Sequence, residues 1–188
     1  MSTLSQARAG AGLSAMTALL NGGALTFYDV PLPASPETAV SSGSALASGA
    51  FSGTAFTAPV YDGSANMAAS GQFANPTFSP SASGAALFAR ATTSGSVAET
   101  DYTTGSNWIA SQAVVLDQLC YSSGNTYKCT TAGTSSTVAP SGTTTFTDGT
   151  VTWTYVGAGQ LFDVLMGNVN LQVGTNVTVT LVEKIPAK

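Results

Sequence analysis

The last stretch of this chain alternates. Val169, Leu171 and Val173 are spaced by polar residues, Gly174-Thr175-Asn176 interrupts, and Val177, Val179 and Leu181 alternate again. Successive side chains on a strand point to opposite faces, so a period of two means strands with one buried face. The spacing predicts that these two strands form an antiparallel pair closed by the turn between them. Ala24-Leu25-Thr26-Phe27-Tyr28-Asp29, ended by Pro31, Pro33 and Pro36, reads as another strand, and Ala85–Ala91 as a further one. Only Ser5–Leu20 carries helical spacing, through Leu13, Met16, Leu19 and Leu20, before Asn21-Gly22-Gly23 stops it. One short N-terminal helix among many strands makes the chain all-β, with a jelly-roll or β-sandwich body.

Between Ala39 and Ala82 the chain is short apolar pieces cut by Gly, Ser, Pro and Asn. Phe51, Phe56, Phe73 and Phe78 read there as anchors of short strands or of a surface-hugging segment. The Pro- and Gly-broken stretch Pro31–Pro80 is expected to drape over a partner, ordering on binding. Asn107–Gly157 differs in texture: it is rich in Thr and Ser and holds both cysteines and both tryptophans. It has its own turn signals at Ser123-Gly124-Asn125 and Asp148-Gly149, and its ends lie between β-patterned regions. It reads as a small β module (107–157) inserted into a body made of residues 1–106 and 158–188.

Charge narrows function. Only 7% of the residues are charged, five basic and nine acidic, and there is no histidine, against about a quarter charged in ordinary soluble domains. Arg8, Arg90, Lys128, Lys184 and Lys188 form no cluster, which argues against nucleic-acid binding. No apolar run is long enough to span a membrane. Ala9–Leu20, diluted by Gly10, Gly12, Ser14 and Thr17, is a poor signal-peptide core. Without histidine, paired carboxylates, a nucleophile elbow or a phosphate loop, no catalytic site or cofactor is expected. A poorly charged chain of this kind is expected to hide surface against copies of itself or a partner.

Three groups of residues stand out. Cys120 and Cys129 cannot close a tetrahedral zinc site without further ligands. If Gly124-Asn125 is a two-residue hairpin loop, Cys120 faces Cys129 with Cα atoms about 4.5 Å apart, within disulfide range; the alternative is two small core residues. Trp108, Tyr127, Trp153 and Tyr155 are candidates for an aromatic platform that stacks on sugar rings, or else the core of a module too small to spare them. Trp108, at the module's edge, is expected to be the exposed one. Arg90 is expected to form a structural ion pair, with Asp163 or Asp101 as partner, or to contact a neighbouring protein.

Two resemblances rest on quoted residues. Asn125-Thr126-Tyr127-Lys128-Cys129, Pro140-Ser141-Gly142 and the run Thr147-Asp148-Gly149-Thr150-Val151-Thr152-Trp153-Thr154-Tyr155-Val156-Gly157 resemble a small module of phage structural proteins, itself similar to chitin-binding-type carbohydrate-binding modules. The remainder, with "LNGGALTFYDVPLPASPETAV", "SGAALFARATTSG" and "NVNLQVGTNVTVTLVEKIP", resembles a family of tailed-bacteriophage capsid cement or decoration proteins. That resemblance implies a jelly-roll structural virion protein on the capsid exterior, assembled in the host cytoplasm. Its implied partners are the major capsid protein and further copies of itself. The module implies an outward projection or, alternatively, a tail- or fibre-associated adhesion role in which it holds host surface glycans.

Overall fold

The computed structural model describes residues 5–40 and 44–187, so Lys188 lies outside the described residues. Ser5 stands in extended conformation and its Oγ accepts the Arg8 N–H at 3.4 Å, which caps helix α1, Gln6–Ala18. Ala9, Leu13 and Thr17 are the buried residues of α1, and Leu20 follows them inward. Thr17 can be buried because its hydroxyl donates back to the Leu13 carbonyl at 2.9 Å. Met16 and Leu19, which share the helical spacing of Leu13 and Leu20, are 55% and 57% exposed. The helix packs on the strands through Ala9, Leu13 and Thr17, with Met16 and Leu19 on its outer side.

Seventeen strands follow among the described residues. The first group is β1 (Ala24–Tyr28), β2 (Ala45–Phe56), β3 (Val60–Tyr61), β4 (Asn66–Phe73), β5 (Thr77–Phe78) and β6 (Gly84–Ala85). Next come β7 (Phe88–Thr92), β8 (Ala98–Asn107), β9 (Ala113–Val114), β10 (Leu119–Ser122), β11 (Asn125–Thr131) and β12 (Gly133–Thr134). The last are β13 (Phe146–Asp148), β14 (Val151–Ala158), β15 (Val164–Met166), β16 (Asn170–Leu171) and β17 (Val177–Pro186). The chain is all-β with one short helix.

The body sheet closes on itself, sandwich-like, through β8, β15, β17, β4, β2, β1, β7 and back to β8. Closure leaves few open edges for stray pairing. Inside lie Leu25, Phe27, Leu46, Phe51, Phe56, Phe78 and Leu181, each at or below 4% exposure. Burying such a side chain contributes about 1.5–3 kcal/mol. Phe78 meets Phe27 edge to face at 5.3 Å and Phe73 likewise at 5.0 Å. A Cβ on Gly49 would stand 2.3 Å from the Phe78 ring, so the aromatic cluster needs glycine there.

Two expectations change here. The stretch Pro31–Pro80 does not drape: it supplies β2 and β4, which stand side by side in the barrel wall. A register break between Phe51 and Phe56 interrupts the alternation that would have revealed a strand as long as β2. The closing pair is also different. Val177–Leu181 does not fold back on 169–173; Val179, Thr180 and Leu181 pair with Met166, Leu165 and Val164 of β15. Residues Asn170 and Leu171 pair instead with β6.

The segment 107–157 has a core of its own: Val114, Cys120, Tyr127, Cys129, Val151 and Trp153. Its antiparallel strands run in the order β13-β14-β11-β10, and β10 then lies parallel to the end of β8, from Leu119↔Gly105 to Tyr121↔Asn107. Its sheet therefore continues the body's. The Gln112 side-chain oxygen accepts from both Asn168 and Asn170, at 3.1 and 3.0 Å, and fastens the module's first loop to the body.

Candidate functional site

The module turns on one buried carboxylate. Asp148 ends β13 at the turn that Gly149 makes with φ +64°, and it is 1% exposed. Its Oδ2 accepts the indole N–H of Trp108 at 2.8 Å and that of Trp153 at 3.2 Å, and its Oδ1 accepts the Ser136 backbone N–H at 2.6 Å. Burial opposes ionisation, but the donors at Ser136, Trp108 and Trp153 outweigh it and hold the carboxyl below its ordinary range. A buried anion needs such a set of donors. The Asp-Gly pair reads in sequence only as a turn, and nothing in the pattern marks its side chain as the point where both tryptophans converge.

That geometry sorts the four aromatic candidates. Trp153 and Tyr127 are 1% and 0% exposed, so neither offers a ring face to a sugar. Tyr127 donates its hydroxyl to the Gly142 carbonyl at 2.7 Å and meets Tyr155 edge to face. Trp108 and Tyr155 are half-buried at the margins of the same core. Trp108 is therefore tied to Asp148 rather than standing free at the module's edge.

The cysteine register also differs from expectation. Ser123 and Gly124 both take positive φ, at 51° and 82°, and form the two central residues of the turn. Cys120 then faces Tyr127, and Cys129 exchanges backbone hydrogen bonds with the chain at Asp117 and Gln118. The two cysteines sit diagonally on the core face, where such neighbours are about 7–8 Å apart, and both are free thiols. Burial, first among the causes, pushes both thiols up.

Arg90 pairs with Asp101, not with Asp163. The two face each other across β7 and β8, with Nε to Oδ1 at 2.6 Å and Nη2 to Oδ2 at 2.8 Å. Both side chains are under one-tenth exposed, and Nη1 donates to the Thr38 carbonyl at 2.9 Å. The guanidinium thus holds the proline-rich loop after β1 against the body, and no part of it is left for a neighbour. Asp163 accepts instead from the Thr103 N–H and hydroxyl, at 2.9 and 2.7 Å.

Among the described residues no three His, Cys, Asp or Glu side chains gather where a metal ion could be held, and no helix is long and apolar enough to cross a membrane. Comparison with family models, curated proteins and solved structures finds no match to the chain.

Proposed function

We propose that this chain is a structural virion protein, a cement or decoration subunit that lies on the outer surface of a tailed-phage head and projects its module outward. The observation that carries the reading is how charge is spent. Of the few cations, Arg90 pairs with Asp101, Lys128 with Asp117 at 2.7 Å and Lys184 with Asp62 at 3.5 Å. Apart from Arg8, Asp29, Glu37 and Glu99, what remains for contact is a surface rich in Ser, Thr, Ala and Gly with scattered apolar side chains such as Val60, Leu116 and Val138. Laying such a surface on another protein strips little hydration from charged groups. Many copies binding a repeating lattice would sum weak contacts by multivalency.

The test is composition and imaging of purified particles. The expected result is this chain in fixed stoichiometry to the major capsid protein, on the head exterior, with the module pointing away. Finding it at the tail alone overturns the reading. The adhesion alternative now rests on Trp108 and Tyr155, the two half-buried aromatics. Glycan-array binding that vanishes with Tyr155→Ala in a folded chain would favour it.

A further inference from the structure

The barrel wall has a gap beside β15. That strand is three residues long and joins β8 to β17 only over 104–106 and 179–181. Beyond it, toward Tyr102 and Glu183, β8 and β17 are no longer bridged by a strand. A cleft of about 600 Å³ opens there, lined by the 160–163 loop, Leu165 and Thr180, Val182, Glu183 and Lys184 of β17. Its wall is unequal. Leu161, Leu165 and Val182 give an apolar side, while Asp163 and Glu183 bring two carboxylates.

Glu183 differs from the other acids that lose water in this fold. Asp101, Asp117 and Asp62 each have a cation, and Asp148 has three N–H donors. Glu183 has the neutral Tyr102 hydroxyl within hydrogen-bonding reach and Asp163 as a like-charged neighbour. Burial pushes its carboxyl above the ordinary range; the Tyr102 contact opposes the rise and Asp163 adds to it. Lys184, its neighbour on β17, is turned to Asp62. Of the other elements packed on β17, β4, β5 and β15 bring no titratable group, and α1 carries only Arg8. Lys184 also lines the cleft, but its ammonium is paired with Asp62, so among the described residues no cation is paired with Asp163 or Glu183.

We infer that this cleft receives an arginine or lysine side chain presented by a neighbouring protein. The alkyl stem lies along Leu161, Leu165 and Val182, as long basic side chains do on apolar surface, and the cationic head meets Asp163 and Glu183. For the identity of that neighbour, the capsid lattice, the inference rests on the proposed decoration role; for the chemistry of the site it does not.

The probe is N-acetyl-argininamide, titrated into the full chain and followed by amide NMR, with uncharged N-acetyl-glutaminamide as control. The expected result is saturable shifts confined to residues 160–165 and 180–184, absent with the control. Glu183→Gln should weaken binding at least about tenfold, as loss of a charge-assisted contact does. Because that variant alters a half-buried group, the unaltered chain provides a second arm. A bound cation favours ionised Glu183, so affinity should rise as pH increases through the Glu183 titration. No saturable shift, equal binding by Glu183→Gln, or affinity independent of pH from about 4 to about 8 overturns the proposal. Saturable binding lost in Glu183→Gln upholds it even if intact heads do not take up the chain, a result that counts against the decoration role alone.

Discussion

Asp148→Asn tests whether the module is organised around its buried carboxylate. The amide keeps one acceptor where the carboxylate has two. Its better orientation leaves the oxygen toward Trp108 and Trp153 and turns the NH₂ to the Ser136 N–H, donor against donor. One charge-assisted bond is then lost and two become neutral, which sums to about 4 kcal/mol, at about 1.5–3 for a bond to a charged group and about 0.5–1.5 for a neutral one. Both tryptophans of the chain lie in the module, so their emission during urea unfolding reports its stability. With a slope of about 2 kcal/mol per molar urea, the midpoint should fall by about 2 M. The pH dependence has a definite sign. Asp148 is held lower in the folded chain than in the unfolded one, so its stabilisation is complete above the unfolded carboxyl pKa of about 4 and disappears as pH falls through the folded value. The gap between the two proteins should narrow in acid. A midpoint unchanged within about 0.3 M at neutral pH, near the uncertainty of such a fit, would refute the reasoning.

The ion pair at Arg90 should behave asymmetrically. Arg90→Met strands Asp101 in the wall and should lower stability by about 3–5 kcal/mol, whereas Arg90→Met with Asp101→Leu should recover most of it, as thermal unfolding of the three proteins would reveal. The cysteines should be slow: a thiol reagent should label Cys120 and Cys129 only when urea opens the module, and rapid labelling of the native chain would contradict their burial. Gly49→Ala should lose about 1–3 kcal/mol by pressing on Phe78, while Gly53→Ala, whose added methyl meets nothing within 4 Å, should stay within about 0.5 kcal/mol of the parent by the same denaturation.

The fold class was legible because its signals are local. Ser5 caps α1, the Asn21-Gly22-Gly23 run ends it, and alternation marks β17 over Val177–Leu181. What failed was pairing, which local pattern does not encode. Three-residue β15 shows too little alternation to be seen, yet it takes the place beside β17 that the 169–173 strand was expected to fill. The cysteine register slipped because Ser123 accepts a left-handed backbone that favours glycine, which moves the turn by one residue and sets Cys120 opposite Tyr127. Helical spacing did not say which side of α1 meets the strands: Ala9, Leu13 and Thr17 are buried while Met16 and Leu19 are exposed. At the candidate sites, Arg90 was recognisable as an ion-pair former, but its partner was fixed by the β7–β8 register. Asp148 and Glu183 carry no sequence signal at all, since each acquires its character from side chains distant along the chain.

The junction between module and body has a consequence for how the molecule meets anything. The strand β10 is laddered onto β8, Gln112 is bonded to Asn168 and Asn170, and the Thr126 hydroxyl donates to the Gly159 carbonyl while accepting the Leu161 N–H. No swivel separates the two parts, so the module's angle is set before any encounter. On a surface carrying many copies, little orientational freedom is surrendered as each additional copy engages, and avidity accumulates at low entropic cost. The same bonds make tilt a matter of the body's seat: whatever the module meets, it meets at the angle that β8 and β10 set.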